Sequence, residues 1–166
     1  MKIKQFEKFV KSQDHVVCIK PYLLDSNAYT AVVTNCAIYL LNVDEDTKQY
    51  YFNENMSHID NSMKKFLNER PATVTNFPDL KTIKENIKSI AGRKYGTLIN
   101  YKIDENNTFN ARYIKTISEY IRPETAFLDN TKTTAPLFVT GKNGLAMVLP
   151  INTNTPLPIG TFYKAM

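Results

Sequence analysis

The sequence predicts an α+β fold, on three observations. Its 166 residues include 10 Tyr and 9 Phe but no Trp, a usage that suits pleated sheet faces better than a helical bundle. Two stretches with helical apolar spacing are each followed by three short apolar runs parted by turn residues, the pattern of a helix and a three-stranded meander. A hydrophobic content of 43% against 22% charged residues marks a globular chain, and a domain near this length buries roughly 70% of the surface its unfolded chain exposes.

The first helix rests on Ile3, Phe6, Phe9 and Val10, whose spacing gives one apolar stripe, while Lys4, Lys8 and Lys11 line up on another side. HVVCIK, YTAVVT and AIYLLNV then read as strands, separated by turn chemistry at Asp25-Ser26-Asn27 and Thr34-Asn35. Asp44-Glu45-Asp46 ahead of KQYYF reads as a charged hairpin turn, since a metal would want ligands converging from elsewhere. Residues 54–95 read as a helical connection, HIDNSMKKFLNE and LKTIKENIKSIAG, broken by Pro71 and Pro78 and stopped at Gly92 beside Arg93 and Lys94.

YGTLINYKI is the next strand candidate, and Asn107 or Thr108 can cap a helix from about Phe109 to Ile121. That helix turns Ile114, Ile117 and Ile121 to one side and Arg112, Lys115 and Glu119 to another. TAFLDN, PLFVT and LAMVLPI follow as strands, with Gly141 and Gly144 bracketing a turn. Helix and three strands thus recur: Val33-Thr34 precedes Val139-Thr140 by 106 positions, and Ile3 precedes Phe109 by the same interval. Duplication about a pseudo-twofold axis explains that order. It gives one domain over residues 1–152, with halves at about 1–53 and 96–152, two helices on one side of antiparallel sheets, and a tail at 153–166.

A net charge of +5 permits a polyanionic partner, and residues 1–13 hold Lys2, Lys4, Lys8 and Lys11 against Glu7 alone. The opening MKIKQFEKFVKSQ has no apolar stretch of the kind a secretory signal needs, and no run reaches the ~18 apolar residues of a membrane span. A cytoplasmic protein without membrane contact is expected. Cys18 and Cys36 lie in apolar strand-like segments and read as small buried hydrophobes. His15 and His58 stand far apart with no paired cysteines, and Gly141-Lys142-Asn143-Gly144 lacks the spacing of a phosphate-wrapping loop. Ser89 and Ser118 sit in no nucleophile motif. The expectation is a protein that is not an enzyme, with no catalytic residue, metal or cofactor.

The run NFPDLKTI, TFNARYIKTISEYI, TAFLDN and PLFVTGKNGLAMVLPI resembles the corresponding run in bacterial DNA polymerase III beta subunits, the sliding clamps, and in shorter clamp-like proteins of phages and mobile elements. The matching positions are Phe77 and Pro78; Phe109, Asn110 and Tyr113; and Met147, Leu149 and Pro150, with a looser likeness over AYTAVVTNCAIYLLNV. The resemblance implies a DNA-clamp-like domain whose paired helices face duplex DNA, with Lys4, Lys8, Lys11, Arg112 and Lys115 on the phosphate backbone and no base reading. It implies a role in replication processivity and partners such as a polymerase held through a peptide groove. Family chains carry three such domains, so a lone domain would have to self-associate head to tail into a ring. One alternative is a degenerate clamp-fold adaptor of replication proteins that does not bind DNA. Another is an unrelated α+β module.

Overall fold

The computed structural model describes residues 1–68, 76–94, 96–152 and 156–165. Alternation of apolar side chains between two faces builds a six-stranded antiparallel sheet in the order β1-β2-β3-β8-β7-β6. Its strands are β1 (Val16–Leu24), β2 (Asn27–Thr34), β3 (Ala37–Leu41), β6 (Pro123–Phe127), β7 (Leu137–Gly141) and β8 (Gly144–Val148). A second sheet, β5-β4-β9, joins β4 (Ile99–Lys102), β5 (Thr108–Asn110) and β9 (Phe162–Lys164).

Two parts of the large sheet share one hydrogen-bonding register. Val32 pairs with Tyr39 in β2–β3, and Val139 pairs with Ala146 in β7–β8, each residue 107 positions beyond its counterpart. The same interval relates the irregularity between Val16 and Cys18 in β1 to that between Pro123 and Thr125 in β6. It relates His15 (φ 53°) to Arg122 (φ 57°), the left-handed residues that lead into those two strands. It also relates the Asp44 N–H on the Met1 carbonyl (2.9 Å) to the Ile151 N–H on the Thr108 carbonyl (2.7 Å). The 106-residue interval read from Val33-Thr34 and Val139-Thr140 is one short, because residue likeness and backbone pairing differ there by one position.

Both faces of the large sheet are covered. α1 (Ile3–Ser12) and α4 (Ala111–Thr116), which runs on as a π-helical turn over Ile117–Ile121, pack on one face. Phe6, Phe9, Ile114, Ile117 and Ile121 meet Ile19, Val32, Tyr39, Val139 and Val148 there. On the other face Met63 of α2 (Ser57–Asn68) joins Cys18, Val33, Ile38, Leu40 and Phe138. α3 (Leu80–Ala91) stands against α4 and the small sheet with Ile83 fully buried. No helix among the described residues is long and apolar enough to cross a membrane.

Three expectations change. The helix expected from Phe109 starts at Ala111, because Thr108–Asn110 pairs with β4 and the Asn110 side chain then caps α4 by accepting the Arg112 N–H at 2.9 Å. KQYYF forms no hairpin: Lys48–Tyr50 is one 3-10 turn, followed by a bridge from Phe52 to Ile19. The expected tail contributes a strand, since Phe162 pairs with Tyr101 and stacks on it with ring centroids 4.4 Å apart. Pro71 lies outside the described residues.

Candidate functional site

Burial decides which face of α1 meets solvent. Phe6 and Phe9 are fully buried, and Phe9 sets its ring edge-on to Tyr39 and Tyr120 at centroid distances of 4.9 and 5.2 Å. Lys4, Lys8 and Lys11 are thereby left exposed, and none of them forms an ion pair among the described residues. The acidic side chain of this helix, Glu7, accepts a short hydrogen bond from the Tyr50 hydroxyl, which holds that phenol above its ordinary range.

The residues of α4 stand differently. The Arg112 guanidinium donates to the Asp14 carboxylate and, at 2.7 Å, to the Ser12 carbonyl, fastening the start of α4 to the end of α1. Lys115 is half-buried on the wall of a cleft of about 470 Å³ that it shares with Gln13, Ile87, Leu98 and Tyr113. Glu119 pairs with Lys84 of α3 at 3.9 Å. Of the five basic residues singled out in the sequence, three form one free exposed face, one sits at the seam between two helices and one lines a cleft.

Sequence reasoning missed the lysine stripe of α3. Lys81, Lys84 and Lys88 are all exposed, and their spacing by three and four, visible in the sequence, places them on one helix face. A second cleft, of about 370 Å³, runs between α2 and strands β7 and β8, where Ser62, Lys65, Pro136, Phe138, Met147 and Leu149 line it. Leu149 is 47% exposed at its mouth.

The two edges of the large sheet also differ from a bare edge. Ile19 of β1 exchanges backbone hydrogen bonds with Phe52 at 3.1 and 3.0 Å, and the Asn53 side-chain amide donates to the Val17 carbonyl at 3.0 Å. Pro21 in the same strand has no N–H to offer. At the opposite edge β6 is five residues long, begins at Pro123 and carries the irregularity already described. Such features blunt a sheet edge against further pairing.

Two further reactive groups, Tyr39 and Cys18, are buried. The Tyr39 hydroxyl has no hydrogen-bonding partner among the described residues, and burial drives its phenol far above the ordinary tyrosine range. Burial likewise raises the Cys18 thiol. Among the described residues no group of three or more His, Cys, Asp or Glu side chains could hold a metal ion. No family model matches the chain, and no match is found among curated proteins or solved structures.

Proposed function

We propose that this chain is a clamp-fold DNA-binding protein of replication, built from two pseudo-twofold-related halves whose helices lie along duplex DNA. The observation that carries the reading is the shared register: strands, irregularities, left-handed residues and closing hydrogen bonds recur at one 107-residue interval. One helix for each half, α1 and α4, packs on the same sheet face, as the resemblance implies. Lys4, Lys8 and Lys11 then meet phosphates and hold the duplex without reading its sequence. Three such contacts give a salt slope of only about −2.7, so function as a processivity factor requires several copies around one duplex. Replication partners would enter the apolar cleft beside Met147 and Leu149 as short peptides.

The covered edge of β1 favours a second reading, a clamp-fold adaptor that does not encircle DNA. Light scattering after size exclusion, repeated with closed circular and linearised duplex, separates the two. A multimer retained on circles and lost from linear DNA supports the ring. A monomer at every concentration, never retained on circles, supports the adaptor.

A further inference from the structure

We infer that α3, which lies in the connection between the two halves, extends the duplex-binding surface across the whole helical side of the molecule, with Lys81, Lys88 and Lys94 as additional phosphate contacts; this inference rests on the DNA-binding reading above. The three helices are linked through α4, which is joined to the end of α1 through Arg112, Asp14 and the Ser12 carbonyl and to α3 through Glu119 and Lys84. The lysine stripe of α3 therefore borders the row of Arg112, Lys115 and Glu119, which itself borders the end of α1. Ile83 anchors the inward side of α3 and is fully buried, so Lys81, Lys84 and Lys88 take the outward side.

Charge points the same way. Residues 2–14, 80–94 and 111–122 carry twelve Lys or Arg against four Asp or Glu, whereas the rest of the chain carries nine against twelve. The excess of positive charge over the whole chain, +5, is smaller than the excess on this one side. A field of that polarity draws a polyanion to the helical layer and away from the remainder. Within the stripe Lys84 is held by Glu119, and Lys81 reaches Glu85 only as an exposed surface pair at 4.0 Å, which is weak. Lys88 and Lys94 form no ion pair among the described residues.

The surface fits a duplex rather than a single strand. Single-strand binders stack bases on exposed aromatic side chains, and among the described residues the one aromatic of the exposed large apolar set is Phe52, at the β1 edge. A broad lysine layer with no stacking platform among its described residues engages phosphates alone.

Fluorescence anisotropy of a 30-base-pair duplex, titrated at several salt concentrations, tests the assignment with the full chain. The variants are a triple K81Q/K88Q/K94Q, a triple K4Q/K8Q/K11Q and the arginine version K81R/K88R/K94R. Glutamine at these exposed positions leaves the fold intact, which circular dichroism melting checks. The α3 triple is expected to flatten the slope of log K against log salt by about 2 to 3, at roughly 0.9 per lost phosphate contact, and the arginine version is expected to restore it. An α3 triple with the wild-type slope, beside an α1 triple that loses binding, overturns the α3 assignment alone. Wild-type protein that shifts no duplex at low salt overturns the DNA-binding reading along with it. Retention on anionic phospholipid vesicles without any duplex shift does the same and reassigns the surface to a membrane.

Discussion

The turn between β2 and β3 and the turn between β7 and β8 occupy the same place in the shared register, yet they are closed by different chemistry. In the first, the Thr34 hydroxyl accepts the N–H groups of Cys36 and Ala37 at 3.3 and 3.0 Å. In the second, Gly141 and Gly144 stand where Thr34 and Ala37 stand, 107 residues earlier. The reason lies in what presses on each turn. The end of the π-helical turn lies against the second: Ile121 and Arg122 give their carbonyls to Asn143 and Lys142, and the Asn143 amide reaches the Tyr120 carbonyl at 2.8 Å. A Cβ on Gly141 would overlap the Ile121 carbonyl oxygen, and one on Gly144, whose φ is +140°, would overlap the Leu40 carbonyl oxygen. Register thus follows the pattern of pairing, while the residues at a turn follow the neighbours packed on it.

The largest effect that sharpens this contrast is at Gly144. Gly144→Ala is expected to lose about 3–5 kcal/mol or to fail to fold, whereas Ala37→Gly at the matching place loses about 1 kcal/mol. Urea denaturation measures both, and equal losses would mean that the two turns are constrained alike. Next in size is Thr34→Ala, expected to cost about 1–2 kcal/mol by leaving two backbone donors without their acceptor. A third substitution acts at the seam between the halves, where Tyr39 of β3 faces Ala146 of β8. Tyr39→Phe is expected to be neutral or to stabilise by up to about 1 kcal/mol, since the buried hydroxyl it removes has no partner among the described residues.

Tyr39 also sets a pH dependence. Its folded-state phenol is raised above the unfolded value, so its contribution is fully present below the unfolded pKa, about 10, and is lost as pH rises beyond it. Stability measured against pH should decline in that alkaline window, and more gently in Tyr39→Phe. Tyr101, Tyr113 and Tyr120 are raised by burial as well, so the variant keeps part of the decline. A profile unchanged by the substitution would deny Tyr39 its place in the core. The smallest effect concerns Asp79, whose carboxylate caps α3 by accepting the Thr82 N–H and hydroxyl at 2.9 and 2.8 Å. Those bonds lower its pKa, so Asp79→Ala is expected to lower the melting temperature slightly at neutral pH. The difference should start to shrink as pH falls below the ordinary aspartate value and vanish only once pH has dropped through the lowered value of Asp79.

Most elements were legible because their signals are local. Phe6, Phe9, Ile114, Ile117 and Ile121 are buried and Ile3 is half-buried, as spacing required, and each of the six strands of the large sheet overlaps a run read as a strand, although only β3 lies wholly inside its run. β5 was missed because Thr108 and Asn110 are good caps, and only pairing with β4 shows that the chain stays extended as far as Asn110. β9 lies in a segment too short to announce itself before β4 offers it an edge. The placement of α2 on the far face of the sheet depends on Met63 finding Cys18, Val33 and Phe138, contacts that no periodicity encodes. At the candidate site the free lysines of α1 were readable from spacing alone. The capture of Arg112 was not, because its carboxylate partner Asp14 lies 98 residues away in the chain.

The activity proposed for the helical side is to bind duplex phosphates without reading sequence. Its most direct test is the affinity of the wild-type chain and of K4E/K8E/K11E for two unrelated duplexes of equal length, at low and at physiological salt. The expected result is one affinity for both duplexes, a fall with salt, and loss of binding in the charge-reversed variant. Wild-type protein that binds neither duplex at low salt, or a variant that binds as well as wild type, would contradict it.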